Sequence, residues 1–289
     1  MTKTWTVLQG SLLVSDLDGT LLRPDTTLGA ETVAVINQYV ADGGLFTYAT
    51  ARSFTSAAPL TASLKLRLPV VTYGGAIIVD PNTGRARPPQ VLTPDVADDV
   101  LEWSGRHRRI RPIVFVMHEE RDRVCWQADR STPRVEAFLA RRRNDPRLLP
   151  ICELSSIDRY AVFNIAIVGD YEPLLELRDI LAASHDTCYQ VLSEDIYAKG
   201  DWRLDVMSRT ATKAAALSSL RTELNAPALI CFGDSHNDLP MFEIADIALA
   251  VENAEPEVRA ASMGIIGRNS DQGVAGWISR YGQSQRLTR

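Results

Sequence analysis

A chain of 289 residues has room for about two domains at roughly 150 residues each. Its composition, 45% hydrophobic and 23% charged, lies in the ordinary globular range and excludes disorder, collagen and coiled coil. A net charge of −5 argues against a nucleic-acid partner held by bulk charge, and no apolar run approaches the roughly 18 residues of a membrane span.

In chain order, 12–14 is an apolar burst stopped at once by Asp16, and it reads as a strand, not a secretion signal. Val33, Ile36 and Val40 recur at helical spacing, and Gly43-Gly44 ends that helix. Residues 45–49 read as strand, 55–65 as helix and 69–72 as strand. Gly74-Gly75 turns the chain into a strand at 76–79, and 80–84 is a strong turn. The next stretch has strands at 113–117, 161–168 and 203–207, separated by helices at 95–104, 132–142 and 173–183. The first rhythm then returns: helix 211–224, strand 228–232, helix from 239, strand 247–251, helix 257–261 and strand 264–266.

Strands alternating with helices imply a parallel sheet covered on both faces. The expected class is α/β, with a Rossmann-like core of 1–84 and 209–289 interrupted by an inserted α+β domain of 85–208. The insert is locally basic, with 15 basic against 12 acidic residues over 85–159, and most of its arginines, including Arg141 to Arg143, read as a solvated face. The four cysteines, Cys125, Cys152, Cys188 and Cys231, are far apart and form no CxxC pair. They read as buried thiols of a cytoplasmic protein.

Two acidic motifs carry the chemistry. Asp16-Leu17-Asp18-Gly19-Thr20 follows the first strand, and ligands of open α/β sheets bind beyond the carboxyl ends of the strands. One aspartate of such a pair suits a nucleophile or metal ligand, and the other suits proton transfer. A calcium loop is excluded, because it needs glycine sixth and glutamate twelfth, and the twelfth position here is Thr27. Gly233-Asp234-Ser235-His236-Asn237-Asp238 closes a second core strand. Its carboxylates suit a small hard cation such as Mg²⁺.

Together these motifs resemble the haloacid dehalogenase superfamily of phosphatases, most closely its Cof-like, type IIB branch. That branch's first motif, DxDGT, is Asp16 to Thr20; its second, a Thr ending a strand, matches Thr50. Its third, a lysine opening a helix, matches Lys213; its fourth, GDxxND, is Gly233 to Asp238, and the closing NxxDGVA stretch resembles 269–275. Where the branch reads TGR this chain has Thr50-Ala51-Arg52, and where it reads NGA this chain has Gly74-Gly75-Ala76. These departures leave the reacting groups intact but prevent transfer of a particular substrate.

The resemblance implies a parallel-sheet core with an inserted cap of type C2B and a Mg²⁺-dependent phosphatase mechanism. Asp16 is then the nucleophile and Asp18 the acid and base. Mg²⁺ is held by Asp16, the backbone carbonyl of Asp18, Asp234, and Asp238 directly or through water. Lys213, Thr50 and Asn237 hold phosphoryl oxygens, with Ala51 and Arg52 beside the substrate. On the residues alone, Thr50 serves equally well as a helix cap and Lys213 as a solvated lysine, while His236 is a motif neighbour with no required role. The expected partner is a small phosphorylated metabolite such as a sugar phosphate, with neither nucleic acid nor membrane involved. Two other readings share the fold: a phosphomutase using the same aspartates, and a non-catalytic sensor or scaffold.

Overall fold

The computed structural model describes residues 9–107, 109–194 and 199–281. The chain opens with β1 (Leu12–Ser15), α1 (Ala30–Ala41), β2 (Leu45–Tyr48), α2 (Phe54–Thr61) and the hairpin of β3 (Val70–Thr72) and β4 (Ile77–Val79). It continues through α3 (Pro94–Arg106), β5 (Pro112–His118), β6 (Arg121–Gln127), α4 (Pro133–Ala140), β7 (Leu148–Ile151), β8 (Val162–Gly169), α5 (Tyr171–Ser184), β9 (Cys188–Glu194) and β10 (Trp202–Ser208). It closes with α6 (Lys213–Glu223), β11 (Leu229–Gly233), α7 (Leu239–Ile244), β12 (Ile247–Val251), α8 (Pro256–Ala261), β13 (Gly264–Ile266) and α9 (Gly273–Tyr281).

Two compact units result, one from the described residues of Met1–Arg85 and Thr212–Arg289, the other Ala86–Ala211. The inserted unit therefore runs past the expected end at 208. A turn from Ala211 N–H to the Ser208 carbonyl (2.9 Å) and a bond from the Thr210 hydroxyl to Gln90 (2.8 Å) tie that stretch to the insert.

The core sheet has the order β13-β12-β11-β1-β2, and every pairing in it is parallel. A parallel bridge from Ala49 to Val71 carries it on to the β3–β4 hairpin. The central strand β1 is fully buried, as a parallel strand covered on both faces must be, and this accounts for its unbroken apolar run. Its last residue, Ser15, pairs with Tyr48 of β2 and Phe232 of β11. The next residues along all three strands thus emerge at one edge of the sheet.

The inserted unit is a mixed six-stranded sheet in the order β7-β6-β5-β8-β10-β9. It has its own core, in which Val96, Val100 and Trp103 of α3 and Leu174, Leu177 and Leu181 of α5 pack with Val114, Ile165, Ile167, Leu204 and Val206 of the sheet. Three of its strands, β6, β7 and β9, carry no expectation from the sequence. They are half-solvated, with Arg121, Val191, Ser193 and Glu194 exposed, so no clean alternation marks them.

Other differences have local causes. α2 stops at Thr61, not 65, because Leu64, Leu66 and Leu68 are buried on alternate residues, a period that an extended chain satisfies and a helix does not. α4 ends two residues early, at Ala140, and Arg142 of the supposed solvated run instead lays its guanidinium 3.6 Å from the Phe138 ring centre. Cys125, Cys188 and Cys231 are buried, as expected, but Cys152 is exposed. No helix among the described residues is long and apolar enough to cross a membrane.

Candidate active site

The shared strand edge assembles the acidic motifs. Asp16 follows β1, Thr50 lies just beyond β2, and Asp234 follows β11. Beyond Asp16 the backbone turns through Gly19 at φ +78°, a conformation that glycine adopts without strain. A Cβ on Gly19 would also lie 2.2 Å from Asp234 Oδ2, so only glycine lets the two motif loops approach this closely. Thr20 then donates its hydroxyl to Asp234 Oδ1 at 2.7 Å.

Lys213 enters from a third direction. It opens α6, whose Thr212 cap accepts from Ala215 N–H, and it belongs to the buried stripe Lys213, Ala216, Leu217, Leu220. That stripe follows the i, i+3, i+4, i+7 spacing of a core-facing helix side, so the lysine must point inward. Gly75 (φ +116°) fixes the start of the helix, since a Cβ there would meet the Thr212 carbonyl carbon at 2.1 Å. Lys213 is 1% exposed, and its ammonium donates to Asp16 Oδ1 (2.5 Å), Asp238 Oδ1 (2.6 Å) and Asn237 Oδ1 (3.1 Å). An ammonium has three donors, and all three are taken.

Asp238, fully buried, is equally committed. Its Oδ2 accepts the backbone N–H groups of Asp234 (2.9 Å) and Ser235 (3.1 Å), and its Oδ1 takes Lys213. It therefore acts as the hub that shapes the loop after β11. Carboxylate oxygens of Asp16, Asp234 and Asp238 all lie within 4.8 Å of one another. Asp16 Oδ2 and Asp234 Oδ2 accept no hydrogen bond from the described residues.

Electrostatics follow from this crowding. Burial pushes the Asp16 carboxyl up to about 7; Lys213 opposes the shift, and Asp238 and Asp234 add to it. Asp234 is raised to about 6, again first by burial, against the Thr20 hydrogen bond. Burial alone would lower the Lys213 ammonium, but the charges of Asp16 and Asp238 outweigh it and hold the group above its ordinary value. One ammonium among three carboxylates leaves the cluster short of positive charge. Hard oxygen donors with free lone pairs and a charge deficit fit a divalent cation such as Mg²⁺.

The remaining sequence candidates are divided. Asp18 is exposed and held by a fork from Arg52, with Nε to Oδ2 at 2.7 Å and Nη2 to Oδ1 at 2.6 Å. Thr50 is buried and caps no helix: its hydroxyl accepts the Arg52 N–H (3.1 Å), while Ser53 caps α2. Ala51 is exposed and contributes backbone only. His236 is exposed and lies between Glu255 and Glu257 on the α8 side, both of which raise its pKa. Sequence reasoning missed Asn253, which donates to the Gly19 carbonyl (2.7 Å) and accepts from the Asn269 N–H (2.9 Å). Asn269 in turn donates to the Leu22 carbonyl at 2.9 Å, so the two asparagines brace the loop that carries Asp18. The signal available for Asn253 was its place just past β12.

The parallel α/β core thus carries an aspartate pair and a lysine-tied carboxylate cluster at adjacent strand ends. The family profile described as haloacid dehalogenase-like hydrolase matches residues 13–278, and the chain belongs to that family. Among curated proteins it is similar to the HMP-PP phosphatase of Serratia proteamaculans, 27% identical over 285 residues, covering 96% of this chain and 97% of the relative. It is likewise 27% identical over 276 residues to the HMP-PP phosphatase of Cronobacter sakazakii, covering 92% and 93%. Among solved structures, a Thermotoga maritima protein superposes with a TM-score of 0.75 at 25% identity, covering 93% of this chain and 97% of that one. A haloacid dehalogenase-like hydrolase from Bacteroides thetaiotaomicron superposes at 0.74 and 23% identity, covering 94% and 99%, a likeness of fold. The chain is thus an enzyme of a hydrolase family, and relatives named as phosphatases support phosphatase chemistry.

Proposed function

We propose that this enzyme is a Mg²⁺-dependent phosphatase that hydrolyses a small phosphorylated metabolite through an aspartyl-phosphate on Asp16. The observation that carries the reading is the Lys213 contact to Asp16 Oδ1 at 2.5 Å, which fixes a buried carboxylate and leaves Oδ2 free to attack. Oδ2 forms a bond to phosphorus as the bond to the leaving oxygen breaks. Asp18 supplies a proton to that oxygen, then takes one from the water that attacks phosphorus and returns the electron pair to Asp16. The Thr50 region and Asn237 lie at the same strand ends as candidates to orient phosphoryl oxygens. Lys213 serves them less directly, because its donors are spent on the aspartates and Asn237.

Asp16, the Asp18 carbonyl and Asp234 would hold Mg²⁺, with Asp238 acting through water because both its oxygens are engaged. Bound there, the ion neutralises phosphate charge and aligns the phosphoryl group. A reducing, cytoplasmic setting suits the four free cysteines.

The test is release of inorganic phosphate from a broad panel of phosphorylated metabolites, with and without chelator. The panel should include sugar phosphates and HMP-PP, the compound in the names of two relatives. Steady release that stops on chelation is expected. A requirement for a bisphosphate activator would indicate a mutase instead, and no release from any compound would refute the reading.

A further inference from the structure

The loop after β12 holds both acidic motif loops at once. Asn253 Nδ2 donates to the Gly19 carbonyl at 2.7 Å, and the nearby Glu255 N–H donates to the Asp234 carbonyl at 2.8 Å. The sheet makes this possible. β12 pairs in parallel with β11, Ala250 beside Gly233, so the loops after the two strands leave the same edge together. On its other side Asn253 Oδ1 accepts the Asn269 N–H at 2.9 Å. A carbonyl needs a donor and an N–H needs an acceptor, and a side-chain amide supplies both.

Gly19 is where such a hold is needed. At φ +78° and with no side chain, it has nothing of its own to fix the peptide that follows it. That peptide leads to Thr20, whose hydroxyl donates to Asp234 Oδ1 at 2.7 Å. Gly19 also lies against the same carboxylate, since a Cβ there would come within 2.2 Å of Asp234 Oδ2. A swing of the Gly19–Thr20 peptide would therefore disturb the Asp234 side chain from two sides. The backbone of Asp234 is fixed by other means, its N–H by Asp238 Oδ2 (2.9 Å) and its carbonyl by Glu255. Only the direction of its carboxylate depends on the Gly19 turn.

Resting on the metal-dependent phosphatase reading above, we infer that Asn253 is a positioning residue for Asp234. By fixing the Gly19–Thr20 peptide it keeps the Thr20 hydroxyl on Oδ1, which leaves Oδ2 as the oxygen available to a divalent cation. Asn253 itself is exposed, so replacing it opens no cavity in the core, and its effect on the site can be read apart from the fold.

The test compares the full-length enzyme with Asn253→Ala, Asn253→Asp and a control, Asn37→Ala. Asn37 makes the same kind of paired contact elsewhere in the core unit, from Nδ2 to the Ser63 carbonyl (2.9 Å) and from the Lys65 N–H to Oδ1 (2.7 Å). Titration calorimetry gives the Mg²⁺ dissociation constant, thermal unfolding gives the stability of the metal-free protein, and phosphate release gives the Mg²⁺ concentration for half-maximal rate. Asn253→Ala should bind Mg²⁺ about 10-fold more weakly, the lower end of the cost of losing an outer partner of a metal ligand, because it acts through Thr20. Half-maximal rate should need correspondingly more Mg²⁺. Asn37→Ala should lose comparable thermal stability yet bind Mg²⁺ as the wild type does. Asn253→Asp keeps the size and the acceptor but loses the donor. It should bind Mg²⁺ more weakly than the wild type, although its added negative charge alone would tighten a cation.

Mg²⁺ affinity of Asn253→Ala within about twofold of wild type, an equal loss in Asn37→Ala, or tighter binding by Asn253→Asp would overturn the role of Asn253 while leaving the phosphatase reading intact. No binding of Mg²⁺ by the wild type would overturn the metal reading and this inference with it.

Discussion

Replacing Lys213 should damage stability and activity together. Lys213 is 1% exposed and faces two carboxylates that are themselves buried, Asp16 and Asp238. Removing one partner of a buried ion pair leaves charge without compensation, typically at a cost of about 3–5 kcal/mol. Asp16, already raised to about 7, can take up a proton and soften that cost near neutral pH, so the lower end of the range is expected. About 3 kcal/mol corresponds to a fall in melting temperature of roughly 6–12 °C for a domain of this size. Lys213→Met isolates the charge, because it keeps most of the stem volume that Lys213→Ala removes along with it. Both variants should lose at least about 30-fold in phosphate release, since the contact orients the nucleophile. Calorimetry and a phosphate-release assay on both variants provide the check. A melting temperature within about 2 °C of wild type together with less than a threefold loss of rate would refute the reasoning.

The metal-free protein should become less stable as pH rises from about 4 to about 7. Asp16 and Asp234 titrate higher in the folded chain than in the unfolded one, so the folded state holds more protons across that window. A divalent cation favours the ionised carboxylates, so Mg²⁺ should raise the melting temperature more at about pH 8 than at about pH 5.5. The reverse order in a thermal-shift series would contradict the cation assignment, and Asp234→Ala should reduce the shift at the higher pH. The inserted unit, which has its own core, should govern substrate choice. Replacing 86–211 by a short linker should leave a core that slowly hydrolyses an activated ester but no longer ranks metabolites. A folded truncated core with the full-length ranking would show that the insert is not the source of specificity.

What was legible in the sequence depended on burial on both sides. β1, β11 and β12 are buried throughout or nearly so, and they appear as apolar runs with acidic motifs at the ends of the first two. The strands β6 and β9 were not legible, because most of their residues are half-buried or exposed and their buried positions, Val124 and Cys125 side by side in β6 and Cys188 alone in β9, do not alternate. The inward direction of Lys213 was present in the sequence as the spacing to Ala216, Leu217 and Leu220. The Asp18–Arg52 fork was not legible, because it joins side chains 34 residues apart whose geometry is set by two separate loops. Asp238 stands between these cases: its place in the motif was evident, but its double commitment to backbone and Lys213 required coordinates.

The central claim is that Asp16 carries the phosphoryl group during turnover. Its most direct measurement is acid quenching of the enzyme during steady turnover of a labelled substrate, followed by mass spectrometry of the peptide containing Asp16. The account predicts a labile phosphoryl adduct on that residue. In Asp16→Asn the adduct should be absent and phosphate release abolished, because an amide is a poor nucleophile toward phosphorus. Steady phosphate release with no adduct on Asp16, or near wild-type turnover by a folded Asp16→Asn variant, would contradict it.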